Sequence, residues 1–381
     1  MKHPLFQRLT RIKQLGLTNV VYPGAQHTRF QHSLGAFHLT SEAILSLTQK
    51  GVFIFESEAE AVQAAILMHD IGHGPFSHVL ENTLIHGISH EEISLMMMNE
   101  INHDLGDNLT LAIKIFKDEY PKRFLHQLIS SQLDMDRLDY LRRDSFFTGV
   151  TEGNIGSARI IKMLNVVDDN LVVDSKGIYS IENYLTSRRL MYWQGYLHKT
   201  TVGYEKLLVN LLSRAKYLAD QGETVFATPA LHFFLYNHID KEAFVDNAEP
   251  LQHYKMLDDS DIWASVKAWT IHRDPILSLL SRNLIDRRIF KVEVRSTVVE
   301  EAEVMDIRHQ IAQRYGLSFD DTAYLVNVST IRKDMYDIHD DHISILYKDG
   351  TIKDITEASE ILNISLLSKK ICKYYLCYQR F

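Results

Sequence analysis

Apolar and polar positions follow two different periods along this chain, and the change of period divides it near residue 286. Before that point apolar residues recur mostly every three to four positions, the spacing of a helix with one buried stripe. Residues 34–50 place Leu34, Phe37, Ala43, Ile44 and Leu47 on such a stripe. Residues 57–71 do the same through Ala61, Ala64, Ala65 and Leu67, with Ser57 as the expected cap and Gly72, Gly74 and Pro75 as the stop. The spacing predicts further helices over 89–101, 122–143, 155–164, 181–219, 229–236 and 260–285. Val166–Tyr179 reads instead as a β-hairpin.

After residue 286 the period shortens. Ile289–Val294, Ala323–Val328, Ile343–Tyr347, Ile352–Ile355 and Lys373–Tyr378 read as strands, and Lys348-Asp349-Gly350 is a hairpin turn. Residues 299–315 and 357–368 read as helices. The expectation is a mainly α protein, with a helical core over 1–285 and a smaller α+β region over 286–381. Its β-α-β-β-α-β order suggests a ferredoxin-like sheet.

Composition alters this picture in two places. The net charge of -8 argues against nucleic acid as a partner, so Arg142-Arg143, Arg188-Arg189 and Arg287-Arg288 read as pocket or surface residues. Two cysteines and no apolar run near 20 residues point to a cytoplasmic protein without a membrane partner. Of the 19 histidines, eleven fall within residues 1–126. Clustering of the commonest metal ligand in one third of the chain implies chemistry.

A His-Asp pair alone means little, and the chain has three. His103-Asp104 and His339-Asp340 read as ordinary surface pairs. His69-Asp70 is followed by Gly72, His73, Gly74, Pro75 and His78, so imidazole and carboxylate converge within one turn. On a continuing helix His69 and His73 would share a face. Upstream, Arg29 lies one helical turn before His32. Downstream, Asp134–Asp144 alternates acids and bases, able to add a carboxylate ligand and phosphate-facing cations.

The order His32, His69-Asp70, Asp136 resembles the H…HD…D signature of the HD superfamily of metal-dependent phosphohydrolases. Ile12–Gly16, Tyr22–Ala25, Arg29–Gly35 and His69–His78 are similar to its deoxynucleoside triphosphate triphosphohydrolase branch, across residues 4–200. Asp258–Trp263 resembles a stretch of bacterial members.

The resemblance implies a divalent metal ion (Mg, Mn, Fe, Ni or Zn) on His32, His69, Asp70 and Asp136, with room for a second ion. It implies His78 as the catalytic histidine, assisted by Glu81, with His73 and His90 as auxiliary histidines. Arg29, Arg137, Tyr140 and Arg188 would contact phosphate. Gln14 and Asp144 would grip the sugar 3′-hydroxyl, and Leu15 and Tyr196 would crowd the 2′ position. The implied reaction converts a dNTP to deoxynucleoside and inorganic triphosphate, in a homo-oligomer (dimer or tetramer).

Four positions depart from the animal members: Arg137 for a lysine, Glu81 for an aspartate, Leu197 for a base-contacting glutamine, and Thr10 for an activator-site arginine. An Asp-Pro-x-x-Gly segment is also missing upstream. These departures keep alive a nucleotidase or phosphodiesterase for another phosphate ester, or a non-catalytic nucleotide sensor.

Overall fold

A computed structural model describes residues 1–81, 83–333, 336, 342–359 and 371–381, apart from the side chains of Ser77, His78 and Lys333. The chain is mainly α-helical. Two hydrophobic cores support it. One gathers Ala36, Leu47, Val62, Ile66, Leu125, Met135, Leu138 and Leu185 from the Arg29–Gln49, Glu56–Met68 and Met135–Thr148 helices and their neighbours. The other gathers Met97, Leu207, Leu211, Trp269 and Leu280 from the His90–Asp104, Lys199–Asp220, Asp259–Trp269 and Pro275–Ile285 helices. Among the described residues no helix is long and apolar enough to cross a membrane.

Several expected elements differ from the structure. The Glu56–Met68 helix is capped by the Glu58 carboxylate, which accepts from the Phe55 N–H at 2.9 Å, so Ser57 lies inside it. The 122–143 stretch is two helices, Arg123–Gln127 and Met135–Thr148, because Asp134 accepts from the Arg137 and Ser131 N–H groups and starts a new N-terminus. The 181–219 stretch is broken: Ile178–Leu190 runs into a π-helical turn, Met191–Tyr196, before Lys199–Asp220 begins. Residues 260–285 are likewise two helices, with Asp274 capping Pro275–Ile285.

The hairpin forms as Leu164–Val167 against Asn170–Asp174, antiparallel, with Asp168 and Asp169 both at positive φ as a tight two-residue turn requires. The strands after 286 do not close into one ferredoxin-like sheet. Ile371–Tyr378 lies between Lys291–Arg295 and Val326–Lys333, antiparallel to both. Ser344–Leu346 and Ile352–Asp354 instead extend the earlier hairpin, with Val173 opposite Ile345 in a parallel pairing. An isolated hairpin leaves an edge unpaired, and the buried Ile343, Ile345 and Ile355 carry these strands into the first core. Phe290, Ile311, Leu325 and Leu376 enter the second, so both cores continue across residues 285/286. The expected 357–368 helix lies largely outside the described residues, as does His339-Asp340.

Arg214 fastens this arrangement. Its guanidinium forks onto Asp274 at 2.6 and 3.1 Å and reaches Asp321 at 2.9 Å, with nine-tenths of both the Arg214 and Asp274 side chains covered. Removing one partner of a largely buried pair leaves the other charge uncompensated. Arg214→Ala is therefore expected to destabilise the protein by roughly 3 kcal/mol, read as a lower urea midpoint with an unchanged slope.

Candidate metal centre and adjoining clefts

The Glu56–Met68 helix ends just before His69, so His69 and His73 do not share a helical face. A tight turn instead sets both beside Asp70 Oδ1, His69 Nε2 at 3.4 Å and His73 Nε2 at 3.3 Å, with the Ile71 N–H on Met68 O and the His73 N–H on Asp70 O. Gly72 makes this turn possible, because a Cβ there would collide with the His90 carbonyl and the Ser94 N–H. Beneath it the fully buried Arg8 donates to the His73 carbonyl at 2.8 Å and to Leu257 O at 3.0 Å.

The histidines and acids converge. His32 Nε2 stands 3.3 Å from His69 Nε2 and 2.9 Å from Asp136 Oδ1, and His69 Nε2 lies 3.4 Å from the same oxygen. Asp70 adds Oδ1 at 3.4 Å from His69 Nε2. Its other oxygen lies 3.8 Å from His32 Nε2 and accepts from Arg29 Nη1 at 2.6 Å. The tautomers follow from the far sides of the rings. His32 Nδ1 donates to Asp139 at 2.8 Å, and His69 Nδ1 donates to the Ile66 carbonyl at 2.6 Å. In the neutral rings both Nε2 lone pairs therefore point at each other beside a carboxylate. Two lone pairs at 3.3 Å need a positive charge between them, and the imidazole–carboxylate set fits a divalent cation.

The electrostatics agree. Burial opposes protonation of His32, but Asp136 and Asp139 outweigh it and hold its pKa well above the ordinary value. Burial likewise works against Asp136, and His32 and His69, which donate to it through Nε2–H when protonated, still hold it below the usual carboxylate range. His73 behaves oppositely: burial and then the Arg29 charge lower it to about 3, so it stays neutral. It stacks on His90 at 3.9 Å, and His90 Nδ1 lies 3.3 Å from Glu81. His73, Glu81 and His90 form a second group able to hold an ion.

Clefts open on both sides. One of about 420 Å³ is lined by Lys13, Gln14, Leu15, Arg29, Phe76, Tyr192, Tyr196 and Leu197. The other, about 350 Å³, runs past His69, Asp70, Asp136, His90, Lys117 and His126. Phe76, at φ +49° in the left-handed region, turns the chain sharply between His73 and the Ser77–Glu81 helix.

Residues 29–144 match the HD domain, and residues 155–224 match the HD associated region. A solved phosphohydrolase structure from Bacteroides thetaiotaomicron has a TM-score of 0.97 at 66% identity, covering all of this chain and 94% of that one. This chain belongs to the HD-domain phosphohydrolase family. YwfO of Bacillus subtilis is 34% identical to this HD-domain phosphohydrolase, over 98% of this chain and 86% of its own length. The deoxynucleoside triphosphate triphosphohydrolase SAMHD1 homolog of Dictyostelium discoideum is 32% identical over 55% of this chain. The match spans 44% of that relative's length.

Of the residues singled out in the HD-domain phosphohydrolase sequence, His32, His69, Asp70, Asp136, Arg29, His73, His90 and Glu81 come together. Gln14, Leu15 and Tyr196 line the first cleft with Arg29. Tyr140 lies between the two groups, its ring 6.5 Å from His32 and 6.3 Å from Tyr196. Arg188 donates to Gln132 at 3.2 Å while its Nε is buried without a partner; Arg137 is held by the Ser131 carbonyl at 2.7 Å. Asp144 is buried rather than cleft-lining, and both its oxygens are engaged. The His78 side chain lies outside the description. His103 is 89% exposed beside a half-exposed Asp104, as expected of a surface pair.

Two further residues were not singled out. Asp139 orients His32, and its position three residues after Asp136 on one helix face was the available signal. His27 holds Asp144.

Asp258–Trp263 also gains a role, because it anchors the segment that carries Gln14. Asp258 pairs with Arg11 Nε at 2.6 Å, and Asp259 accepts from the Lys13 N–H at 3.1 Å.

Proposed function

We propose that this HD-domain phosphohydrolase hydrolyses deoxynucleoside triphosphates to deoxynucleoside and inorganic triphosphate. The observation that carries the reading is the position of Arg29. It bonds Asp70 beside the histidine pair and also lines the cleft that holds Gln14, Leu15 and Tyr196. A phosphate near the histidines would have its sugar within that cleft.

Arg29, Arg137 and Arg188 supply the positive charge that a triphosphate requires. A divalent cation bound by His32, His69, Asp70 and Asp136 supplies Lewis-acid polarisation of the phosphate ester. Water oxygen adds to the α-phosphorus and gives up a proton to solvent as the bond to the 5′-oxygen breaks, and His78 gives the 5′-oxygen its proton. Gln14 takes the 3′-hydroxyl, Leu15 and Tyr196 crowd the 2′ position, and Asp144 backs Tyr196 from behind the wall. The SAMHD1 homolog acts by name on deoxynucleoside triphosphates, which supports the same substrate class here.

The test is the product. Each of the four dNTPs is incubated with Mn²⁺ or Mg²⁺, and the released phosphate is identified by ³¹P NMR. Inorganic triphosphate is expected. Release of monophosphate or pyrophosphate, or no turnover of any dNTP, would overturn the reading in favour of another phosphate ester.

A further inference from the structure

We infer that His27 is a positioning residue that holds the 2′-facing wall of the cleft, through Asp144, and thereby sets the preference for deoxyribose. This rests on the dNTP reading above and adds a residue to it. The His27 side chain is completely buried, and its Nε2 lies 2.7 Å from Asp144 Oδ1. The other Asp144 oxygen accepts from the Tyr196 hydroxyl at 2.8 Å. Tyr196 lines the cleft and Asp144 does not, so the His27 side chain reaches the cleft wall through this relay.

Three features keep the relay in place. The His27 ring stacks on Phe147 at 4.5 Å, tilted by 18°. Gly24 brings its loop so close to the Phe147 carbonyl that a Cβ could not be accommodated. Residues 12–14 and 27–29 pair as a short ladder: the Gln14 N–H donates to His27 O and the Arg29 N–H to Ile12 O, each at 3.0 Å. His27 is thus tied to both sides of the cleft, to Gln14 by its main chain and to Tyr196 through Asp144.

The buried His27 Nδ1 has no partner, which fits a neutral ring donating through Nε2. Without that donor, Asp144 is a buried carboxylate with the Tyr196 hydroxyl as its remaining side-chain partner. Such a group turns toward water, and the Tyr196 hydroxyl bonded to it moves with it. A wall displaced by a fraction of an ångström admits a 2′-hydroxyl.

The experiment compares kcat/KM for dNTPs and the matching NTPs in wild type, His27→Phe, His27→Gln, Tyr196→Phe and the His27→Phe/Tyr196→Phe double variant. Phenylalanine keeps the stack and removes the donor; glutamine restores a donor. The dNTP-to-NTP ratio is expected to fall about tenfold in His27→Phe, the scale of one lost hydrogen bond to a charged group. It should recover in His27→Gln, and the double variant should fall no further than either single one.

A purely structural role would lower both substrates together and leave the ratio unchanged, which would overturn the inference. So would independent, multiplying losses in the double variant. If His27→Phe does not fold, Tyr196→Phe breaks the same relay from the other end, and an unchanged ratio there is equally fatal. A wild type that prefers dNTPs while every variant keeps that preference refutes His27 alone. A wild type that hydrolyses no dNTP, or shows no preference over NTPs, refutes the function reading and this inference with it.

Discussion

Replacing His69 by alanine is expected to leave a folded protein that has lost most of its bound metal and at least a thousandfold of its phosphohydrolase activity. His69 follows the end of its helix, and alanine removes the Nδ1 bond to Ile66 O and the Nε2 that faces His32, Asp70 and Asp136. The ion contributes several kcal/mol of charge stabilisation. At about 1.4 kcal/mol per decade, its loss corresponds to roughly three decades in rate. Elemental analysis of purified protein, beside circular dichroism, separates metal loss from unfolding. Equal metal in variant and wild type would refute the site assignment.

The second large effect is expected at Gly35, which touches no ligand directly. Gly35 lies in the Arg29–Gln49 helix, where a Cβ would collide with Asp139 Oδ1 and Arg143 Nη2. Arg143 grips Asp139 through both oxygens, at 2.8 and 2.9 Å, and Asp139 in turn fixes His32 Nδ1. Gly35→Ala must displace this pair, rotating His32 or freeing its tautomer. Partners behind metal-bound histidines are typically worth 10–100-fold in affinity or activity. A loss of about 100-fold in metal affinity is expected for Gly35→Ala, with Asp139→Asn similar. Calorimetric metal titration measures it directly. Wild-type affinity in both variants would mean that the Asp139 bond has no bearing on the ion.

The pattern of what could be read in the chain follows the distance over which each interaction acts. The His69–His78 stretch stood out as a site because its glycines, proline and histidines lie within ten positions, although the helical face read for His69 and His73 is a tight turn in the structure. The hairpin read over Val166–Tyr179 was legible for the same reason in its turn, but it spans Leu164–Asp174, and Ser175–Tyr179 belongs to a 3₁₀ turn and the start of the Ile178–Leu190 helix. Asp139 was not, since Asp134, Asp136, Asp139 and Asp144 compete as candidates and the partner, His32, lies 107 positions away. His27 was hidden because its meaning depends on Asp144 and Tyr196 arriving from two other elements. The sheet was misread because strand pairing is non-local. Nothing in Ser344–Leu346 itself says that its neighbour will be Asn170–Asp174 rather than Ile371–Tyr378.

The anchoring of Arg11 and Lys13 by Asp258 and Asp259, with Arg8 bonded to the Leu257 carbonyl, bears on how the chain is made. Every proposed metal ligand has been synthesised by residue 136, long before residues 257–259 exist. A nascent or prematurely terminated chain of 200 residues would carry the whole histidine–aspartate set and no fixed wall for Gln14. The Asp258 and Asp259 anchors of Arg11 and Lys13 are therefore added only in the second half of synthesis.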